Sequence, residues 1–191
     1  MDQWHLAETA VSAKGQKSCL LTANHQPVRF QLGSGLRTRF GASTFEKNVD
    51  AVRRSLDFDL DNPDVLARLK EIDAWALDYI TTHSERLLKK TLSRADVENN
   101  YNPLVKTYGS SHSVKTKINI RGSRSATFWN EQGEQILEPP ADGTWQDFAY
   151  QAHVSIPQLW IMAGSFGLLL ETTALMLSAP SAINPFEQKA M

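Results

Sequence analysis

Residues 105–124 read VKTYGSSHSVKTKINIRGSR, and this stretch guides the interpretation of the rest of the chain. It contains five basic residues and no acidic one. From residue 114 onward two sets of side chains alternate, namely Val114, Thr116, Ile118 and Ile120 against Lys115, Lys117, Asn119 and Arg121. Because successive side chains of a strand point to opposite faces, the pattern predicts a strand with one apolar and one cationic face.

The cationic face has two interpretations, and the residues alone leave both open. Aromatic side chains follow closely, at Phe128 and Trp129. A cationic strand beside exposed rings is typical of surfaces that bind single-stranded nucleic acid, where cations meet phosphates and bases stack on rings. Half-buried strands also carry polar residues on their solvent face as a rule, so ordinary surface lysines explain the pattern equally well.

The charge of the chain is unevenly distributed. The 191 residues have a formal net charge of −1, which by itself gives no reason to expect a nucleic-acid partner. Residues 86–124, however, hold nine basic and two acidic residues, whereas residues 125–191 hold one basic and seven acidic residues. Cations grouped in this way can form a local positive patch on a protein that is nearly neutral overall.

Several functional classes are disfavoured by the residue content. Cys19 is the only cysteine, so the chain has no internal disulfide and no thiolate zinc site, which fits a reducing compartment. No apolar run reaches membrane-spanning length and the first residues lack a signal-peptide pattern, so we expect a soluble, intracellular protein without membrane contact. Phosphate-loop, zinc-protease and nucleophile-elbow motifs are missing, and the histidines are scattered. We therefore predict no catalytic residues, no metal and no cofactor.

Periodicity and turn signals predict a mostly β protein with inserted helices. A long amphipathic helix over residues 63–89 begins at Asn62-Pro63-Asp64, which combines a cap residue, proline and an acidic first turn. A short helix follows from Ser93 to about Tyr101. Before them, strands at 28–32 and 36–40 are expected to pair around a turn at Gly33-Ser34-Gly35, and Asp57 and Asp59 lie on the solvent face of another strand.

Seven or eight short strands interrupted by helices favour a small antiparallel Greek-key barrel. The OB-fold, a five-stranded barrel that often carries a helix between its third and fourth strands, matches this order. The predicted organisation is an irregular N-terminal arm over residues 1–17, an OB-fold-like nucleic-acid-binding domain over 18–177 with a helical insertion at about 63–101, and a flexible C-terminal tail over 178–191.

Five runs in order resemble a known family. They are GLRTRFGASTFE, SLDFDLDN, LKEIDAWALDYI, NNYNPLVKTYG with SVKTKINI, and IPQLWIMAGSFGLLLETTALML, within residues 30–177. Together they are similar to OB-fold single-stranded-DNA-binding proteins of large DNA viruses and phages. The matching positions are Thr38, Phe40, Gly41, Tyr101, Pro103, the strand from Lys115 to Ile120, Trp160, Gly164, Phe166 and Gly167.

The resemblance implies a protein that coats single strands during DNA replication, recombination or repair, at the site of viral or phage genome replication in a host cell. The implied partners are single-stranded DNA or RNA, further copies of the chain on DNA, and replication proteins. One departure concerns the tail. Replicative single-strand binders often end in an acidic tail with an aromatic tip, whereas NPFEQKAM is short and nearly neutral, which leaves Phe186 as the candidate anchor.

The candidate site residues follow from the basic segments and the aromatic residues near them. The predicted phosphate-binding residues are Arg37, Arg39, Lys106, Lys115, Lys117, Arg121 and Arg124, and the predicted stacking residues are Tyr108, Phe128, Trp129 and Trp160. Trp160 alternates with Leu159 and Ile161, so it either faces solvent or packs in a second apolar layer. Two alternatives stay open: an assembly protein whose basic strand binds a protein partner, and an RNA-binding relative on the same barrel.

Overall fold

The computed structural model describes residues 3–13, 15–44 and 51–179. The strands are β1 (Trp4–Leu6), β2 (Ala10–Val11), β3 (Lys17–Ala23), β4 (Gln26–Leu36), β5 (Ala42–Ser43), β6 (Arg53–Asp59), β7 (Tyr101–Asn102), β8 (Val105–Tyr108), β9 (Ser111–Asn119), β10 (Thr127–Trp129), β11 (Gln135–Ile136), β12 (Ala149–Met162) and β13 (Ser165–Ser178). The helices are α1 (Pro63–Leu88) and α2 (Arg94–Asn100), and a 3₁₀ turn covers Trp145–Asp147.

Five of these strands form a barrel in the order β4-β12-β13-β9-β6. The barrel closes where the chain beyond β4 meets β6, through a bridge between Arg37 and Asp59 in which the Asp59 amide donates to the Arg37 carbonyl at 2.9 Å. Around the barrel, β9 and β13 are parallel and the other neighbouring pairs are antiparallel. This is a five-stranded OB-fold-like barrel with two helices, as the sequence predicted.

The barrel interior is filled by every second side chain of each strand. In β6 and β9 the buried positions include Leu56, Phe58, Val114 and Ile118, while the residues between them reach solvent. Phe58 meets Tyr150 of β12 edge-on across the core, with ring centroids 5.8 Å apart. Burial of each such side chain contributes roughly 1.5–3 kcal/mol, so the alternation strongly determines which face of each strand is wet.

Helix α1 starts and ends as its sequence indicates. The Asn62 side chain accepts a hydrogen bond from the Asp64 amide at 2.9 Å, and Lys89 ends the helix in a left-handed conformation. The predicted span of 63–89 is confirmed. Its place in the barrel differs from the sequence expectation, because α1 connects the second barrel strand, β6, to the third, β9, and not the third to the fourth. Chain order alone does not say which strands close a barrel.

The predicted hairpin around residues 33–35 is wrong. Strand β4 runs without interruption through Gly33 and Gly35, which have φ angles of 135° and 70°. Its pairing with β12 shifts register on both sides of Ala152. The positive φ angles therefore belong to bulges that bend a long strand around the barrel. Glycine is favoured in such bulges for the same reason that it is favoured in tight turns.

The N-terminal end of the chain is largely described by the structure, whereas the C-terminal end is not. The prediction of an irregular arm over residues 1–17 is wrong, because β1 and β2 both pair with β3. Residues 180–191, which include most of the predicted tail and Phe186, lie outside the described residues. Neither helix in the described part of the chain has the length and apolar character needed to cross a membrane.

A buried carboxyl group joins α1 to the segment that leads into β8. The Tyr101 hydroxyl donates to Asp73 Oδ1 at 2.6 Å, and the Leu104 amide lies 3.0 Å from both carboxyl oxygens. Burial raises the pKa of Asp73 above its ordinary value, although these hydrogen bonds act in the opposite direction. The contact holds residues 101–104 against the helix.

We expect stability to depend on pH through Asp73. A carboxyl group whose pKa is higher in the folded state contributes stability below its unfolded pKa of about 3.9, and loses it as the pH rises through the folded value. The free energy of unfolding of the wild type should therefore fall relative to that of Asp73→Asn between pH 4 and pH 8. Urea denaturation of both proteins across this range measures the difference. The exposed Asp61→Asn is the control, and a constant difference between wild type and Asp73→Asn would contradict the assignment.

Candidate nucleic-acid interface

The outward face of β9 carries the predicted cations. Lys115 is exposed and Lys117 half-buried, whereas the intervening Thr116 is buried in the barrel. Across the antiparallel ladder, Lys115 lies opposite Asp57 and Lys117 lies opposite Ser55. The Lys117 ammonium group donates to the Ser55 hydroxyl at 2.7 Å. The predicted division of this strand into an apolar and a cationic face is confirmed.

Lys117 is part of a group of like charges. Burial lowers its pKa first, and repulsion from Lys115 and Arg53 lowers it further, with Asp57 acting against the shift. Arg53, at the start of β6, was missed in the sequence, although it occupies the same alternating positions as Asp57. It also pairs with Glu171 of β13 at 2.8 Å. Arg53 thus adds one cation from β6 to the lysines of β9, and Glu171 offsets part of its charge.

A first cavity, which we call the Trp160 cavity, collects four of the predicted residues. It has a volume of about 290 Å³, and its lining includes Lys106, Lys115, Lys117 and Trp160. Three cations from β8 and β9 therefore share an open concave surface with one indole ring of β12. This is the arrangement that phosphates and a stacked base require.

The position of Trp160 depends on a glycine. Trp160 is half-buried and pairs with Gly167 across β12 and β13, while the neighbouring Leu159 is fully buried. A Cβ atom at Gly167 would lie 3.0 Å from Trp160 Cζ2 and 2.7 Å from the carbonyl oxygen of Asn102. The indole therefore lies against the β13 backbone, and β7 pairs with β13 at the same point.

A second cavity, which we call the Phe40 cavity, lies near the barrel closure. It measures about 260 Å³ and is lined in part by Arg39, Phe40, Asp57 and Tyr108. Phe40 is 73% exposed and Tyr108 69% exposed. The predicted strand over residues 36–40 gave no indication that Phe40 is exposed, and β4 in fact ends at Leu36.

A tight turn explains the exposure of Phe40. The Gly41 amide donates to the Thr38 hydroxyl at 3.1 Å, and Gly41 has a φ angle of 64°. A Cβ atom at Gly41 would stand 2.8 Å from Cβ of Trp145. Glycine is needed here, and the resulting turn directs Phe40 out of the barrel.

Trp129 lines a third cavity of about 450 Å³ with His153 and Met176. Its indole N–H donates to Thr127 Oγ1 at 2.9 Å, which orients the ring. This cavity lies on the outward face of β13, on the same strand as the Trp160 cavity. Gly167 and Met176 are nine positions apart, which corresponds to roughly 30 Å of extended strand.

Four predicted residues lie outside these cavities. Phe128 is 3% exposed and packs edge-on against Trp145 at 6.2 Å, so its prediction as a stacking residue is wrong. The reason is the alternation of β10, which directs Phe128 inward and Trp129 outward. Arg37 is half-buried at the barrel closure, and Arg121 and Arg124 are exposed in the loop after β9.

Among the remaining predicted residues, Arg39 already has a partner. Its guanidinium Nε lies 3.0 Å from Asp59 Oδ1, which reduces the charge that it offers to another anion. As an exposed ion pair, this contact contributes at most about 1 kcal/mol to stability. In the described residues, no cluster of three or more potential metal ligands occurs.

Solved structures with a similar fold are phage single-stranded DNA-binding proteins, as the sequence resemblance predicted. The protein from bacteriophage Enc34 matches with a TM-score of 0.53 at 10% identity, over 97% of this chain and 96% of the other. Gp2.5, encoded by bacteriophage T7, matches with 0.52 at 12% identity, over 84% and 91%. The Enc34 protein in complex with single-stranded DNA gives 0.50 at 10% identity, over 92% and 96%. No family model and no curated protein sequence matches the chain.

Gly167→Ala should displace Trp160 from its place on β13. The added methyl group meets the Asn102 carbonyl and the indole at distances that ordinary contacts do not reach, so one of them must move. We expect the tryptophan emission maximum to shift to the red as the ring gains solvent exposure. The same substitution in a Trp160→Phe background should produce no such shift, and a shift that persists there would assign the change to another tryptophan.

Lys115→Gln should raise the pKa of Lys117. The substitution removes a neighbouring like charge, so protonated Lys117 becomes easier to maintain. A pH titration of the lysine Cε resonances by NMR measures the change. Lys70→Gln, on the exposed side of α1, is the matched control and should leave the Lys117 titration where it is in the wild type. An unchanged Lys117 titration in Lys115→Gln would show that the two ammonium groups are not coupled.

Proposed function

We propose that this protein binds single-stranded DNA on the outer barrel face formed by β6, β9 and β13. The observation that carries the proposal is the convergence of Lys106, Lys115, Lys117 and Trp160 on one cavity. These residues come from β8, β9 and β12 and span more than fifty positions of the chain, from Lys106 to Trp160. Ordinary solvent-facing lysines give no reason for an indole to be held among them.

The physical basis of binding is electrostatic attraction combined with stacking. Lysine side chains neutralise phosphates and release condensed counterions, which gives affinity without dependence on sequence. Rings add about 1–3 kcal/mol per stacked base. Trp160 occupies the centre of the proposed path, with Tyr108 and Phe40 towards the barrel closure and Trp129 towards the end of β13. Arg121 and Arg124 would extend the cationic surface beyond β9.

The fold supports the same proposal. OB-folds bind oligonucleotides on the face of their second and third strands and on adjacent loops. In this barrel those strands are β6 and β9, and the loops include Phe40 and the turn after Met162. The similar phage proteins are single-stranded DNA-binding proteins, and one of them is in complex with single-stranded DNA.

The cellular role that we propose is protection and organisation of single strands during DNA replication, recombination or repair in a phage- or virus-infected cell. The protein acts in this role as a binding protein and not as an enzyme. Assembly of several copies on one strand and contacts with replication proteins belong to the same proposal. They are predictions from the sequence resemblance.

The salt dependence of binding tests the interface. For single strands, the slope of log K against log salt is about −0.7 per phosphate neutralised. The double variant Lys115→Gln, Lys117→Gln should therefore flatten the slope by about 1.4. Titration of oligo-dT, followed by tryptophan fluorescence at several salt concentrations, measures it. Lys70→Gln, Lys90→Gln removes the same charge from residues outside the cavities and should keep the wild-type slope.

Each other outcome has a distinct meaning. An unchanged slope in the β9 double variant would exclude this face as the binding site. Fluorescence that no oligonucleotide alters, together with no retention on immobilised DNA, would favour an assembly protein whose basic strand binds another protein. Stronger competition by RNA than by DNA of the same length and sequence would favour the RNA-binding relative.

A further inference from the structure

The Phe40 cavity contains two carboxylates, those of Asp57 and Asp59, beside the predicted cations. Asp59 is accounted for, since it pairs with Arg39 and its backbone amide helps to close the barrel. Asp57 is different. Its carboxylate lines the cavity, and its Oδ1 atom is screened from solvent without a hydrogen-bond partner among the described residues.

A carboxylate at this position opposes part of the proposed function. It repels phosphates, so it weakens the binding of any strand whose backbone passes close to it. The register places Asp57 directly opposite Lys115, yet the alternation of β6 would accommodate a neutral polar residue equally well. The position therefore fits a group of the strand other than phosphate, and the remaining groups are sugars and bases.

The cavity wall favours a base. Two aromatic side chains, Phe40 and Tyr108, line the same space as Asp57, and both are largely exposed. Their rings offer flat apolar surfaces on which a base can stack. A base stacked there would present its polar edge to the surrounding side chains, and among these the half-buried Asp57 carboxylate is a hydrogen-bond acceptor.

We propose that the Phe40 cavity is a base-reading subsite that takes a nucleobase with an exocyclic amino group, whose N–H Asp57 accepts. Among pyrimidines this base is cytosine, because its N4 amino group donates freely to a carboxylate, whereas thymine and uracil have O4 at that position and their N3–H lies between two carbonyl oxygens that repel a carboxylate. The inference rests on the proposed function. It adds to a mainly sequence-independent interface one position at which base identity changes affinity.

The experiment compares oligo-dC with oligo-dU of equal length at pH 8 and fixed salt, by competition against a fluorescently labelled strand. Neither base has a methyl group at C5, so the pair differs only at the edge formed by N3 and the 4-substituent. The wild type should bind oligo-dC roughly tenfold more tightly, as expected for one hydrogen bond to a charged acceptor. Asp57→Asn keeps the shape of the side chain but can also donate to O4, so its preference should fall to about twofold or less.

Two further variants separate base reading from general effects. Asp61→Asn removes one negative charge outside the cavity and should retain the wild-type ratio of the two affinities. Both asparagine variants should bind somewhat more tightly overall, since a charge that repels DNA is lost, and the ratio is therefore the decisive quantity. Phe40→Ala removes an exposed ring, leaves the barrel core untouched, and should weaken the binding of both strands while reducing the preference.

The failure of this inference differs from the failure of the proposed function. Equal affinities for oligo-dC and oligo-dU in the wild type, or a ratio unchanged by Asp57→Asn, would overturn base reading and leave single-strand binding intact. A wild-type protein that binds neither strand would overturn both.

Discussion

The register of β9 between β6 and β13 is the constraint on which the rest of this structure depends. The Thr116 hydroxyl, inside the barrel, donates to the Leu56 carbonyl at 3.0 Å and lies 2.8 Å from the Thr172 hydroxyl. These contacts join the three strands where the parallel pairing of β9 with β13 comprises only two residue pairs. A slip of one residue would turn Lys115 and Lys117 into the core and bring Ile118 to the surface.

The register also determines the electrostatics of the outer face. Cations and carboxylates interleave across the strands, with Asp57 opposite Lys115 and Glu171 beside Lys117 and bonded to Arg53. This face therefore carries charges of both signs, and its lysines still lie close enough to repel one another. The lowered pKa of Lys117 reflects partial burial first and that proximity second. A bound phosphate would relieve this repulsion, whereas a carboxylate such as Asp57 is better suited to a base.

The helical insertion contributes to the site because α1 holds part of the wall of the Trp160 cavity. Helix α1 separates β6 from β9 in the chain, although these strands are neighbours in the barrel. Asp73 of α1 holds Tyr101 and Leu104, and Leu104 forms part of the wall of the Trp160 cavity just before Lys106. A buried hydrogen-bond network in the helix thereby fixes the end of the cavity where the predicted stacking ring lies. The scaffold and the proposed interface share these residues.

Local patterns in the sequence determined those elements that are stabilised by residues close to one another in the chain. The cap at Asn62 and the apolar periodicity specify α1, and alternation specifies the wet face of β9, because both depend only on neighbouring residues. The same rule left two environments open for Trp160, solvent or a second apolar layer, and the ring is half-buried in the structure. Only the tertiary structure decided what depends on distant partners. Gly33 and Gly35 bend a strand that pairs with β12. Phe128 packs against Trp145, and a turn against the same tryptophan exposes Phe40. Arg53, Asp57 and Lys117 meet because β6 and β9 pair across an inserted helix, and residues so far apart in the chain leave no periodic signal of their contact.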